Sequence, residues 1–199
     1  IVGLLLPGDF CDLHTGLVGW MDHSVVSLTP VTVLDIPRPR IARLREAAPR
    51  LTRCLIRELL VEASLAREWA VNLGRRSALE RIGHLMCEVF VRLEVAGLAE
   101  RDSCDFMDES ELGDATGLST VHVNRTLQEL RASGLIVLEN ARLTIPDFEK
   151  FAQASGFDRV YLHLGKPQGA DANGLVLCAG ANDGLQAREE WRARKDSNL

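Results

Sequence analysis

Apolar positions along this chain follow two different periods. From Ile1 to Ile36 they come in short runs, Ile1 to Leu6, Ser24 to Leu28 and Val31 to Ile36, broken by Pro7-Gly8-Asp9 and by Thr29-Pro30. Short apolar runs between turn residues predict strands. Three strands are too few for a closed sandwich or barrel, so this part is expected to be the end of a β-domain that begins upstream of Ile1.

After Pro37 the period becomes helical and stays so to about Ala96. Pro49 suits the first turn of a long helix, where a missing N–H costs nothing. Leu55, Leu59, Glu62, Ala66, Trp69 and Leu73 then alternate spacings of four and three, a heptad seam interrupted at Glu62. Such a seam meets a partner helix or packs on the chain's own β-rich part, with Trp69 then simply core. Gly74 is placed to end the helix, and Ser77 with Glu80 forms a capping box for the next one, whose apolar face is Ile82, Leu85, Met86, Val89 and Leu93.

Asp108 and Glu111 make a second capping box ahead of a short helix to Thr116. Gly117 gives the turn out of it and Ser119 caps another helix running to Ala132. Leu112, Ala115, Leu118, Val123, Leu127 and Leu130 fall on inward positions. Ser119, Thr120, Val121, Asn124, Arg125 and Gln128 fall outward. Gly134 closes the helix, and Leu135 to Leu138 and Leu143 to Ile145 read as a hairpin joined at Glu139-Asn140-Ala141. Helix, turn, helix and hairpin in this order predict a winged helix-turn-helix.

The outward residues suit base reading. An arginine fork at Arg125 matches guanine O6 and N7, Asn124 matches adenine, and Val121 can touch a thymine methyl. Ser119 and Thr120 lie at the helix N-terminus, where hydroxyls and free N–H groups meet phosphate. A merely solvated Arg125 is the bland alternative.

Composition narrows the picture. With 199 residues the chain has room for one or two small cores. A net charge of -5 argues against an indiscriminate nucleic-acid binder, though a specific regulator can confine its basic groups to one face. No apolar run approaches the length of a membrane span, and no signal-peptide pattern is present, so a cytoplasmic location is expected. Cys11, Cys54, Cys87, Cys104 and Cys178 form no CxxC pair and read as small hydrophobes. An enzymatic metal or thiol site built from Cys11, Asp12, His14 and His23 has little support from spacing, so no catalytic residue, metal or cofactor is assigned.

The run Gly117-Leu118-Ser119-Thr120-Val121-His122-Val123-Asn124-Arg125-Thr126-Leu127, with Leu130 and Gly134-Leu135-Ile136 after it, resembles the Crp/Fnr transcription regulators. The resemblance reaches upstream through Arg81-Ile82 and the long helix to Pro7-Gly8-Asp9-Phe10. It implies an α+β chain with four parts: the end of a cyclic-nucleotide-binding-like β-roll (1–48), a dimerisation helix (49–76), a winged helix-turn-helix (77–164) and a disordered tail (165–199). It also implies a homodimer through Leu55, Leu59, Ala66, Trp69 and Leu73, double-stranded DNA with a palindromic operator as partner, and RNA polymerase as a further one. The alternative is a dimerising interaction module that has lost regulated DNA binding.

This chain departs from the family pattern in three places. Thr120 and Val121 stand where recognition helices of the family commonly carry arginine and glutamate, so the operator is expected to differ. Asp12-Leu13 and His23-Ser24 stand where cyclic-AMP-binding members carry Gly-Glu and Arg-Ser, and Ala66 and Arg67 replace purine-facing hydroxyls; cyclic AMP is therefore not the expected effector. The ending from Trp191 to Leu199 resembles translated tRNA-gene sequence, with a short helix around Leu185 to Ala193 as the alternative.

Overall fold

A computed structural model of the protein describes residues 1–164. A short turn of helix, α1 (Thr15–Val18), lies in the N-terminal part. Two helices follow, α2 (Arg38–Ala47) and the 27-residue α3 (Pro49–Arg75). The C-terminal unit is α4 (Ala78–Val95), β1 (Ser103–Asp105), α5 (Glu109–Thr116), α6 (Thr120–Ala132), β2 (Val137–Glu139), β3 (Arg142–Thr144) and α7 (Phe148–Ala154), closed by a 3-10 turn at Arg159–Leu162.

Local codes fix the elements of that unit. Ser77 Oγ accepts from Glu80 N while Glu80 accepts from Ser77 N, the expected capping box. Asp108 accepts from the N–H groups of Ser110 and Glu111, and Glu111 reciprocates. Each satisfies helix-end donors that would otherwise be orphaned. Asn140 and Ala141 both take positive φ, 51° and 59°, so a two-residue reversal brings β2 onto β3. β1 pairs with the other edge of β3, giving the antiparallel order β1-β3-β2 with Cys104, Leu143 and Leu138 in register. The sequence reading placed the hairpin strands slightly differently and did not foresee β1.

The core is built on α4. Its residues from Ile82 to Val91 are all buried, and Leu112, Val123, Leu127, Leu130, Ile136, Leu143, Ile145 and Phe151 close around them. Each such side chain contributes roughly 1.5–3 kcal/mol of transfer free energy. Gly83 is what lets α7 approach, because a Cβ there would overlap the Ser155 side chain. Cys87 and Cys104 are among these hydrophobes, and burial pushes their thiols up to about 12 and about 11.

The α+β class expected from sequence holds, but the strands expected in 1–36 do not form. Val26, Val31, Val33 and Leu34 lie outside any helix or strand and are 64% or more exposed. A strand needs a neighbour to take its N–H and C=O groups, and none lies alongside this stretch among the described residues. Residues 21–36 therefore run without helix or strand. The tail expected at 165–199, with its possible helix around Leu185 to Ala193, and Cys178 lie outside the described residues.

A buried polar hub joins the parts. Glu88 on α4 is 1% exposed and accepts from Trp69 Nε1 (3.1 Å), Tyr161 OH (2.8 Å) and Arg92 Nη1 (3.2 Å). Three donors are what a desolvated carboxylate requires. The carboxylate beside it and burial together push the Tyr161 hydroxyl well above its ordinary value, burial being the larger cause. Arg92 continues outward to the Leu4 carbonyl (3.0 Å) and to Asp9 Oδ2 (2.6 Å).

Candidate nucleic-acid interface

α5 and α6 cross at a turn built for close approach. Gly117 adopts φ 64°, the left-handed conformation that ends α5. Gly113 lies one turn earlier, and a Cβ there would come within 2.9 Å of the Leu118 carbonyl, so a side chain at this position would force the helices apart. Arg81 locks the pair to α4 by donating from Nη1 to the Thr116 carbonyl (3.0 Å) and from Nη2 to the Arg76 carbonyl (3.2 Å). Sequence reasoning missed Gly113 and the anchoring role of Arg81. The Gly113 signal was a glycine inside a helical run, which often marks a packing contact.

The inward set is as the helical period requires: Leu112, Ala115, Val123, Leu127 and Leu130 are buried and Leu118 is half-buried. Thr126 Oγ1 turns back to the His122 carbonyl (3.0 Å), which satisfies its hydroxyl inside the core. The outward set stays outward. Ser119, Thr120, Arg125 and Gln128 are exposed, Val121 is 81% exposed, and Asn124 is half-buried.

The start of α6 carries no acidic residue, and Ser119 Oγ accepts from His122 N at 3.4 Å. Its free N–H groups and helix dipole therefore face solvent without a carboxylate to neutralise them. Arg125 Nη2 contacts His122 Nε2 at 3.0 Å, so His122 steadies the guanidinium from within the helix without cancelling its charge. Arg131 donates to the Leu138 carbonyl, tying the far end of α6 to the hairpin.

Residues 80–154 match the Crp-like helix-turn-helix domain. The transcriptional activator protein FnrL of Cereibacter sphaeroides is 29% identical over 165 residues, covering 79% of this chain and 65% of the relative. The nitrogen fixation regulation protein FixK of Bradyrhizobium diazoefficiens is 31% identical over 151 residues, covering 74% of this chain and 61% of the relative. The C-terminal unit of this chain is a Crp-like helix-turn-helix domain. Among solved structures, FixK2 from Bradyrhizobium japonicum superposes with a TM-score of 0.53 at 21% identity, covering 60% of this chain and 59% of that one, which supports the fold. The chain spans between 61% and 65% of the length of the two curated relatives. No helix among the described residues is long and apolar enough to cross a membrane.

Upstream of the Crp-like domain the expected dimerisation seam divides. Trp69 is 7% exposed and belongs to the chain's own core, because its indole N–H finds a buried acceptor in Glu88. Leu55 and Leu59 are half-buried, while Ala66 and Leu73 are exposed. The strip that α3 leaves open lies one residue further on, at Ile56, Leu60, Ala63, Arg67, Ala70 and Gly74, with the same alternation of four and three. Ile56 and Leu60 are 50% and 64% exposed, large values for apolar side chains in mid-helix. A shift of one residue along the helix turns the face by about 100°.

Proposed function

We propose that the protein binds double-stranded DNA sequence-specifically as a homodimer on a palindromic operator and regulates transcription, with RNA polymerase as a further partner. The observation that carries this reading is the outward face of α6, an acid-free helix start followed by an arginine that no carboxylate pairs among the described residues. Arg125 offers guanine a bidentate fork, Asn124 offers adenine a matching donor and acceptor, and Val121 offers a methyl-sized apolar contact. Ser119 and Thr120 take a phosphate at the helix N-terminus, and Gln128 extends the same face by one turn. Relatives named as transcriptional activators support the same function.

Dimerisation is supported by the open strip on α3. Two copies meeting along Ile56, Leu60, Ala63, Ala70 and Gly74 remove apolar surface from water, and the small residues at its C-terminal end let the backbones approach. Half-sites about 10 base pairs apart follow from one turn of duplex between two recognition helices. Selection of binding sites from random duplexes tests the reading. Arg125→Ala is expected to weaken binding by about 1–3 kcal/mol and to relax preference at one base pair per half-site. An unchanged preference rejects the assignment. Leu60→Asp is expected to shift sedimentation toward monomer, and an undisturbed dimer rejects the strip.

A further inference from the structure

Of the four groups in the N-terminal turn that could bear on a metal, Cys11, Asp12, His14 and His23, the structure brings two together and adds a third that sequence spacing did not suggest. Donor atoms of His14, Asp22 and His23 all lie within 4.8 Å of one another. Asp12 is used differently, its carbonyl accepting from Thr15 Oγ1 (2.8 Å) and from Thr15 N (2.9 Å) to hold the turn that leads into α1. Gly19, at φ 95°, reverses the chain after α1, and its N–H bonds the Thr15 carbonyl, so residues 12–19 form a closed loop that returns His23 to His14.

We propose that His14, Asp22 and His23 form a binding site for a divalent transition metal of the borderline class, such as Co2+, Fe2+ or Zn2+. The two imidazole rings stack with centroids 5.6 Å apart and planes 25° apart, which holds them side by side. His23 Nδ1 lies 2.7 Å from Asp22 Oδ1. A carboxylate can only accept, so Nδ1 carries the proton in this contact, and an ion that takes Asp22 as a ligand displaces that hydrogen bond. Two neutral imidazoles and one carboxylate are the donor set of this metal class, whereas Mg2+ and Ca2+ ask for oxygen alone.

Donors around one ion sit about 3.4 Å apart when each bond is about 2.1 Å long, so the cluster closes by roughly an ångström on binding. Asp22 and His23 are exposed, 79% and 39% at the side chain, and can make that movement without disturbing the core. Water completes the coordination.

The test is titration of the untagged, reduced full chain with Co2+ and, separately, Zn2+, read by cobalt d–d absorbance and by calorimetry. One ion per chain is expected to bind at micromolar concentration. His14→Ala and His23→Ala are each expected to weaken binding about tenfold or more, and Asp22→Asn less, with unchanged helical circular dichroism. Absence of saturable binding overturns the proposal, as does equal binding by the His14→Ala/His23→Ala double variant. A thiolate-to-cobalt charge-transfer band also overturns it, since Cys11 would then be the ligand.

Discussion

The segment from Val25 to Ile36 and the hairpin β2–β3 are both written in β-forming residues, yet only the hairpin is sheet. In the hairpin, Asn140 and Ala141 reverse the chain within two residues and bring Leu138 opposite Leu143, so pairing is settled locally. The N-terminal stretch has no neighbour within reach among the described residues, and Leu34 is left 84% exposed. Strand-forming sequence is a demand for a partner, and the loop-closure distance to that partner decides whether the demand is met. Helices make no such demand, which is why α4, α5 and α6 match their sequence signals closely.

The contrast predicts very unequal responses to the same truncation. Leu127 is fully buried between α6 and the core, and Leu127→Ala is expected to cost about 2–5 kcal/mol in urea unfolding. Leu34→Ala is expected to stay within about 0.5 kcal/mol. A large loss at Leu34 would show that the N-terminal stretch has found a sheet partner in solution, and the contrast would break.

Protons provide the next largest difference. His84 is 1% exposed on α4, stacked on Tyr161 with Phe157 at its edge. Glu68 Oε1 lies 3.3 Å from its Nε2 but off the hydrogen-bond direction, and that same oxygen already takes Arg76 Nη2 at 2.6 Å. Burial, with the Arg76 charge second, therefore lowers its pKa from 6.5 to about 4. The unfolded chain binds a proton between those values while the folded chain does not, so stability is whole above about pH 6.5 and falls as pH drops toward about 4. The loss reaches at most about 3 kcal/mol. Unfolding of His84→Phe, compared with wild type from pH 7 downward, is expected to lack this component; parallel curves would show that His84 charges freely in the fold.

A cap gives a smaller effect confined to one helix. Asp108→Ala removes the acceptor for two N–H groups at the start of α5 and is expected to cost about 1 kcal/mol in thermal unfolding. Asp35→Ala, in the extended segment where no element needs capping, is expected to cost nothing measurable. Equal costs would remove the local coding that separates the two regions.

The limits of legibility follow the same division. The caps at Ser77, Asp108 and Ser119, the turn at Gly117 and the outward face of α6 were readable because each depends on residues within four positions of one another. The inward turn of Trp69 on α3 was not. Periodicity gave the alternation of four and three, but two adjacent faces satisfy it, and Trp69 is drawn inward by Glu88, which lies 19 residues away and offers the acceptor its indole requires. The start of the long helix at Pro49 was readable from proline at its first turn, and the break before it is a single residue, Ala48, with φ -136°. Strand β1 escaped because three residues carry almost no period. Asp22 was overlooked beside His23 because adjacent positions reveal no shared geometry until the loop closes on His14.

The smallest prediction concerns the ion pair between Arg92 on α4 and Asp9 in the N-terminal turn. Arg92, 12% exposed at the side chain, sends Nη2 to Asp9 Oδ2 at 2.6 Å, and Asp9 at 37% exposure also accepts from Leu6 N at 2.7 Å. Water reaches the carboxylate, so the ion pair is screened and is expected to contribute about 0.5 kcal/mol, in the range of surface pairs. A single substitution cannot isolate it, because Arg92→Met also takes one donor from the buried Glu88. A double-mutant cycle with Asp9→Asn and Arg92→Met cancels that cost and leaves the coupling between the two side chains. A coupling near 0.5 kcal/mol fits a turn whose carboxylate stays wet although Leu4 and Leu6 beside it pack against the core. A coupling of about 2 kcal/mol or more would mean that Asp9 is held in a dry, rigid site, and residues 1–36 would then have to be counted with the core.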